Sequence, residues 1–260
     1  MSSLFFPDEQ LSIQEKRRGL RALIIEGVFP QIMVVLTSGA FLISFALALW
    51  DSNVILGLII SIGPLAMVIQ MPAAVFIERV RRRKLIAFIF AALSRVFWPL
   101  IAIAPFLLPA KTAFAVIIAL MVARYGLENI AGCAWGSWMR DLVPDRIMGR
   151  IFSYRLSLMI GAGALLAFGA GVFVDYWQSL TNDALSANAI VIAAGGVVGL
   201  LGTVVILRIP EPKMLDADTT TTTRTMLIEP FRDKNYRNWL IFAALWNIAM
   251  GISAPFAIVH

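Results

Sequence analysis

Seven apolar stretches, each long enough to cross a lipid bilayer as a helix, run through the chain. They cover residues 22–49, 53–77, 85–108, 112–138, 152–177, 187–208 and 238–259. A bilayer core about 30 Å thick needs about 20 residues of helix. The apolar fraction of 60% exceeds the roughly half that is usual for a water-soluble domain. We therefore predict an all-α membrane protein with about seven transmembrane helices.

The basic residues alternate with these stretches. Nineteen of the twenty-two Lys and Arg residues fall in four clusters, Lys16 to Arg21, Arg79 to Lys84, Arg140 to Arg155 and Arg208 to Arg237, and the alternate gaps hold only Lys111. Basic residues concentrate in cytoplasmic loops, so this pattern predicts a cytoplasmic N-terminus. The clusters lie at span ends, where they meet anionic lipid headgroups, so the lipid bilayer is the expected partner and nucleic acid is not.

One polar stretch divides the chain. Residues 209–237 contain Pro210, Pro212 and the threonine run 219–223, a composition typical of a flexible linker. We predict three parts: a six-helix bundle over 1–208, a cytoplasmic linker over 209–237, and a seventh transmembrane helix over 238–260.

Enzyme chemistry has little support in the sequence. Cys133 is the one cysteine and His260 the one histidine, so neither a metal cluster nor a Ser, His and Cys combination for covalent catalysis is expected. No phosphate-binding loop is present to couple the chain to ATP. We predict a protein that is not an enzyme and needs no cofactor or metal.

The segment from Ala74 to Ile86, AVFIERVRRRKLI, occupies the turn between the second and third spans. It resembles the signature loop of the major facilitator superfamily. Glu78 takes the acidic place, Arg79 the next basic place, and Arg82 and Arg83 the paired arginines. Arg81 stands where a glycine is usual, so the tight turn must be made in another way. A basic cluster that only anchors the loop is the alternative.

A second segment, Trp138 to Arg155, is similar to the equivalent turn of many bacterial members of this superfamily. Its residues run Asp-Leu-Val-Pro and then Arg-x-x-Gly-Arg, which ends at Arg150. The resemblance implies a cytoplasmic gating loop in which arginines of the first segment reach carboxylates such as Asp141. Such contacts would hold one transporter conformation and release in another.

The resemblance implies a major-facilitator-type helix bundle: the N-terminal six helices, the central linker and the first helix of the C-terminal half. Because members carry two six-helix bundles, we expect a partial or truncated chain, which a second half-transporter or a homodimer would complete. The implied activity is secondary active transport of a small-molecule solute by alternating access, in the plasma membrane, specifically a bacterial inner membrane. The alternative is a non-transporting membrane partner or regulatory protein.

Charged residues inside spans are the candidate site, because charge within a bilayer is costly and usually faces a cavity or a partner. Arg124 and Glu128 are four residues apart and share one helix face. The resemblance places the first and fourth spans along the central cavity, so the predicted substrate or proton pathway comprises Arg124, Glu128, Asn129 and Glu26. A structural brace formed by Arg124 and Glu128 is the alternative. Arg95 is expected to pair with a neighbouring acid.

These charges do not identify the class of solute. They are compatible with an anionic solute, a zwitterionic solute or proton coupling.

Overall fold

The computed structural model describes residues 12–50, 52–214 and 232–253. Its helices are α1 Ile13–Thr37, α2 Gly39–Trp50, α3 Asn53–Ala66, α4 Gln70–Val80, α5 Arg83–Leu107, α6 Ala110–Leu142, α7 Asp145–Thr181, α8 Ala184–Ile206 and α9 Lys234–Ser253. A 3-10 turn, Met67–Ile69, joins α3 to α4. Within these three ranges the chain forms no β-strand, which confirms the predicted all-α class.

Six helical stretches of the described residues are long and apolar enough to cross a membrane. They are Gln14–Trp50, Asn53–Val80, Arg83–Leu107, Ala110–Leu142, Asp145–Thr181 and Ala184–Ile206. They correspond in order to the first six predicted spans and indicate a multi-pass membrane protein. The seventh predicted span begins within α9, which is not among the six, and its residues 254–259 lie outside the described residues.

The first two crossings are each made from two helices. Gly39 follows the break between α1 and α2 with a φ of 55°, in the left-handed region that favours glycine. Pro64 lies at the end of α3, where a residue without an N–H cannot sustain the helical hydrogen bonds, and the 3-10 turn follows. The sequence predicted a single span at each place, and the structure divides each span into two helices.

The centre of the bundle is formed by α1, α5, α6 and α8. Helix α5 packs along both α6 and α8, and α1 packs along both α7 and α8. Trp98 and Ile101 of α5, Met121 of α6 and Ile192 of α8 are fully buried there. The α3–α4 pair and α7 keep most of their apolar side chains on the outside, as helices that meet hydrocarbon do.

Glycines of α8 allow its close approach to two neighbours. A Cβ on Gly195 would lie 2.9 Å from the Cβ of Leu36 in α1, and one on Gly196 would lie 2.7 Å from the Cβ of Trp98 in α5. Small residues let membrane helices pack at short range. In α7, by contrast, Gly163 packs against α1 and Gly171 faces open space.

Four segments meet at one end of the bundle, which we call the basic end. They are the start of α1, the α4–α5 turn, the α6–α7 turn and residues 207–214. The indole N–H of Trp138 donates to the carbonyl of Pro210 at 2.9 Å, and the Lys84 ammonium donates to the carbonyl of Leu207 at 2.9 Å. These contacts hold the first residues of the predicted linker against the bundle, where Ile209 is fully buried.

Arg81 makes the tight turn between α4 and α5. It adopts a left-handed conformation, with φ 56° and ψ 23°, and its backbone N–H closes the end of α4 on the carbonyl of Ile77. A non-glycine residue takes this conformation at a cost of about 1–2 kcal/mol. The turn that glycine would otherwise provide is therefore retained with an arginine in its place.

The chain divides into two compact units, Met1–Met214 and Leu215–His260. In the second, the Asp233 carboxylate accepts the backbone N–H of Asn235 at 2.7 Å and caps the start of α9. Aromatic rings stack along this helix, with Phe242 and Trp246 centroids 6.3 Å apart.

Candidate functional site

A cavity of about 190 Å³ lies among α1, α5, α6 and α7, beside the end of α8. Four ionisable side chains line it: Glu26, Arg95, Glu128 and Arg155. Each belongs to a different helix and lies ten to fourteen residues from the basic end of that helix. At about 1.5 Å per residue, each of the four lies roughly 15–21 Å from that end of its helix. The remaining lining is mostly small and apolar, including Ala87, Ala91, Ala131 and Gly132.

Glu26 and Arg155 form an ion pair on one side of this cavity. The Arg155 Nη2 donates to the Glu26 Oε2 at 2.9 Å, and its Nε donates to the carbonyl of Leu23 at 3.1 Å. The guanidinium also lies 4.7 Å from the ring centroid of Trp135. Gly27 leaves room for it, because a Cβ there would overlap the guanidinium. Glu26 is 2% exposed, so the pair is a buried one.

Glu128 and Arg95 line the cavity without an ion-pair partner among the described residues. The Ser94 hydroxyl donates to the Glu128 Oε2 at 2.7 Å. The Arg95 Nη1 donates to the carbonyl of Gly199 at 2.7 Å, while its buried Nε has no hydrogen-bond partner in the described part of the chain. Arg95 thus donates to a backbone carbonyl, whereas the sequence predicted that its partner would be an acidic side chain.

Arg124 lies away from the cavity, in the apolar centre of the bundle. Its guanidinium is 4.4 Å from the Trp98 ring centroid and 4.1 Å from that of Tyr125. It forms no ion pair with Glu128, and its Nε and Nη1 have no hydrogen-bond partner among the described residues. Cation–π contacts with both rings therefore replace the brace that was the alternative for Arg124 and Glu128.

Asn129 also lies off the cavity. Its amide donates to the carbonyl of Tyr125 at 2.8 Å and accepts from Gln70 at 2.7 Å, which joins α6 to α4. Of the four residues predicted for the pathway, the structure brings Glu26 and Glu128 to one cavity and leaves Arg124 and Asn129 outside it.

No known protein family, curated protein or solved structure matches this chain. Across the three described ranges, no three His, Cys, Asp or Glu side chains come together in a way that could hold a metal ion.

A second polar cluster, the Arg83 network, lies at the basic end and comprises Arg83, Asp141 and Glu211. The Arg83 Nη1 donates to the Asp141 carboxylate and, at 3.0 Å, to the carbonyl of Ser137, and Nη2 donates to the carbonyl of Pro212 at 3.0 Å. Its backbone N–H donates to the Glu211 Oε1 at 2.6 Å. Arg83 is 1% exposed, so this one side chain joins α5, the end of α6 and the segment after α8.

The Arg83 network contains two of the six residues predicted for the gating loop, Arg83 and Asp141. Among the other four, Glu78 is half-buried, and Arg79, Arg82 and Arg150 are exposed. Burial raises the pKa of Glu211, against the opposing effects of hydrogen bonds from the backbone at Arg83 and Lys84 and of both positive charges.

The sequence prediction missed Arg155 and Glu211 as site residues, and it gave Arg95 only a pairing role. A signal existed for Arg155, because it lies three residues inside the fifth predicted span while Glu26 lies four residues inside the first. Both spans begin on the predicted cytoplasmic side, so the sequence alone already gives the two opposite charges a similar depth. Glu211 offered no such signal, since it lies in a polar stretch that was interpreted as a linker.

Proposed function

We propose that this chain, paired with a second copy of itself, forms a membrane carrier for a small solute, a secondary transporter of the major facilitator type that works by alternating access. The observation that carries the proposal is the cavity lined by Glu26, Arg95, Glu128 and Arg155 within helices that are apolar enough to cross a membrane. Ionisable groups within membrane-spanning helices are costly, and they commonly mark a solute or proton pathway. The resemblance of residues 74–86 and 138–155 to superfamily loops supports the same function.

The proposed orientation places the basic end, and with it the N-terminus, in the cytoplasm of a cell whose plasma membrane holds the protein. It is supported by the clusters from Lys16 to Arg21, from Arg79 to Lys84 and from Arg140 to Arg155, which fall on the basic-end side of the described bundle. Lys111 belongs to the opposite side, at the start of α6. A basic excess of this kind is typical of cytoplasmic loops.

In this mechanism the Arg83 network is the gate. Its contacts join α5, α6 and the segment after α8 on the cytoplasmic side of the cavity. While they persist, these contacts hold the helix ends together. Their release would let those ends separate, which is the two-state behaviour that alternating access requires.

Uptake into vesicles that contain the purified protein tests the function. We expect accumulation of one class among labelled amino acids, carboxylates, amines and sugars under an inward proton gradient. Replacing Glu128 with Gln should lower its rate about tenfold or more, because a charge-assisted hydrogen bond contributes about 1.5–3 kcal/mol. Asp175→Asn, at an exposed position of α7, is the matched control and should leave the rate unchanged.

Two results would contradict the proposal: wild-type vesicles that accumulate none of these solutes, or a Glu128→Gln protein that transports as fast as the wild type. The second result would mean that Glu128 only holds α6 to α5 through Ser94 and that the cavity is a packing feature.

A further inference from the structure

Two opposite charges face the same cavity without neutralising each other. Arg95 is 3% exposed, lines the cavity, and has its Nε unpartnered, while its Nη1 is satisfied by the Gly199 carbonyl. Glu128 accepts a hydrogen bond from the Ser94 hydroxyl but has no cation within ion-pair distance in the described chain. Arg95 is buried and Glu128 is half-buried, and neither has an ion-pair partner among the described residues. Breaking or omitting such a pair inside a protein is costly.

The charge balance of the cavity restricts what can enter it. The Glu26–Arg155 pair cancels itself, so the residues that line the cavity leave one positive group, Arg95, and one negative group, Glu128. The Arg124 guanidinium is outside this lining and packs on the Trp98 and Tyr125 rings. A lone anion or a lone cation would add an unbalanced charge inside the membrane, where this is costly. A molecule with one group of each sign would compensate both side chains and add no net charge.

The remaining lining fits such a molecule. Trp135 also lines the cavity, and its buried indole N–H has no hydrogen-bond partner among the described residues, so this side chain carries a donor that is not used within the bundle. Ala87, Ala91 and Ala131 provide a small apolar surface between the polar groups. The cavity volume of about 190 Å³ is smaller than the roughly 300–1,000 Å³ of pockets for drug-sized ligands, so it suits a compact solute.

We propose that this cavity binds a small zwitterion, with the anionic group of the solute at Arg95 and Trp135 and its cationic group at Glu128. The inference rests on the proposed function, because it names the class of solute that the carrier would accept. The Glu26–Arg155 pair borders the same space and is already neutralised, so it fixes the cavity wall and leaves the solute charges to Arg95 and Glu128.

Equilibrium binding to the purified protein in lipid nanodiscs tests this assignment. The probes are three zwitterions that differ in charge spacing, namely alanine, β-alanine and 4-aminobutanoate, with propanoate and propylamine as single-charge controls of similar size. At least one zwitterion should bind about tenfold or more tightly than either control, since each control lacks one charged contact. Equal affinity for a control, or no binding of any zwitterion, would overturn the proposal.

Two variants give a readout that a purely structural role would not produce. Glu128→Gln leaves the cavity with a net positive charge, so the affinity for the zwitterion should fall about tenfold or more while that for propanoate rises. Arg95→Gln should shift the preference toward propylamine in the same way. Asp175→Asn should keep the wild-type ranking. A Glu128→Gln protein that also keeps the wild-type ranking would refute the assignment, and the wild-type ranking decides the matter if a variant fails to fold.

The uptake assay separates this inference from the function on which it rests. Uptake of a singly charged or uncharged solute, but of no zwitterion, would refute the zwitterion site and leave the carrier intact. Binding of a zwitterion without uptake of any solute would refute the carrier and leave the binding site.

Discussion

Replacing Arg83 with alanine is expected to lower the free energy of unfolding of the bundle by about 3–5 kcal/mol. The wild-type guanidinium bonds Asp141 and two backbone carbonyls, and it lies 3.8 Å from the Glu211 carboxylate. Its loss leaves Glu211, which is 2% exposed, without a facing guanidinium, and it leaves the carbonyls of Ser137 and Pro212 without their donor. Removal of one partner from a buried charge network usually costs more than the network itself contributes.

Chemical or thermal unfolding in detergent micelles, followed by circular dichroism, measures this loss. Arg79→Ala is the matched control, because Arg79 belongs to the same basic cluster but is exposed, and we expect a change within about 0.5 kcal/mol there. An Arg83→Ala protein that unfolds like the control would show that the Arg83 network does not hold the basic end together.

The loss of stability in the Arg83→Ala variant is expected to depend on pH because of Glu211. Burial raises the pKa of this carboxyl in the folded protein, so folding favours the protonated form, and the contribution of Glu211 to stability falls as pH rises through that pKa. Without the Arg83 guanidinium, the ionised form of Glu211 is even less favourable in the folded protein. The loss of stability in Arg83→Ala should therefore be larger at about pH 8 than at about pH 5, and Glu211→Gln in the same background should abolish the difference.

Replacing Arg155 with glutamine is expected to cost about 3–5 kcal/mol as well, because it leaves the Glu26 carboxylate buried without its cation. Glu26→Gln alone should also destabilise the fold, since Arg155 then lacks its carboxylate. The double variant Glu26→Gln/Arg155→Gln carries no charge at this position and should recover much of the loss. A double-mutant cycle would then show a coupling of about 1–3 kcal/mol.

Arg150→Gln is the control for the Arg155 series. Arg150 lies five residues earlier on α7 and is exposed, so its loss should change stability little. If the single-variant effects at Glu26 and Arg155 simply add in the double variant, the ion pair contributes nothing of its own.

The positions of the first six spans and the contact between Arg83 and Asp141 could be predicted from the sequence alone. Apolar length sets where a helix crosses, and the charge alternation sets which turns share an end, so the α4–α5 and α6–α7 turns could be placed together in advance. Within that end, the contact of Arg83 with Asp141 needed only proximity and opposite charge.

The composition of the cavity could not be predicted in the same way. The position of a residue in the sequence gives its depth in a span, but it does not show which neighbouring helix or cavity its side chain faces. The packing between helices decides that. Arg124 and Glu128 share a helix face at a spacing of four residues, yet Arg124 packs between two rings while Glu128 faces the cavity. The partners of Glu26 and Arg95 come from α7 and α8, which are distant in sequence.

Cysteine labelling gives the most direct test of the layout on which the carrier depends. Cys133 is the one native cysteine, so a Cys133→Ala background allows single cysteines at two exposed positions, Arg82→Cys at the basic end and Lys111→Cys at the other. In intact cells, a membrane-impermeant maleimide should label the cysteine at position 111 at once and the one at position 82 only after permeabilisation. Labelling of both positions from the same side would contradict a bundle whose charged cavity lies between two membrane faces.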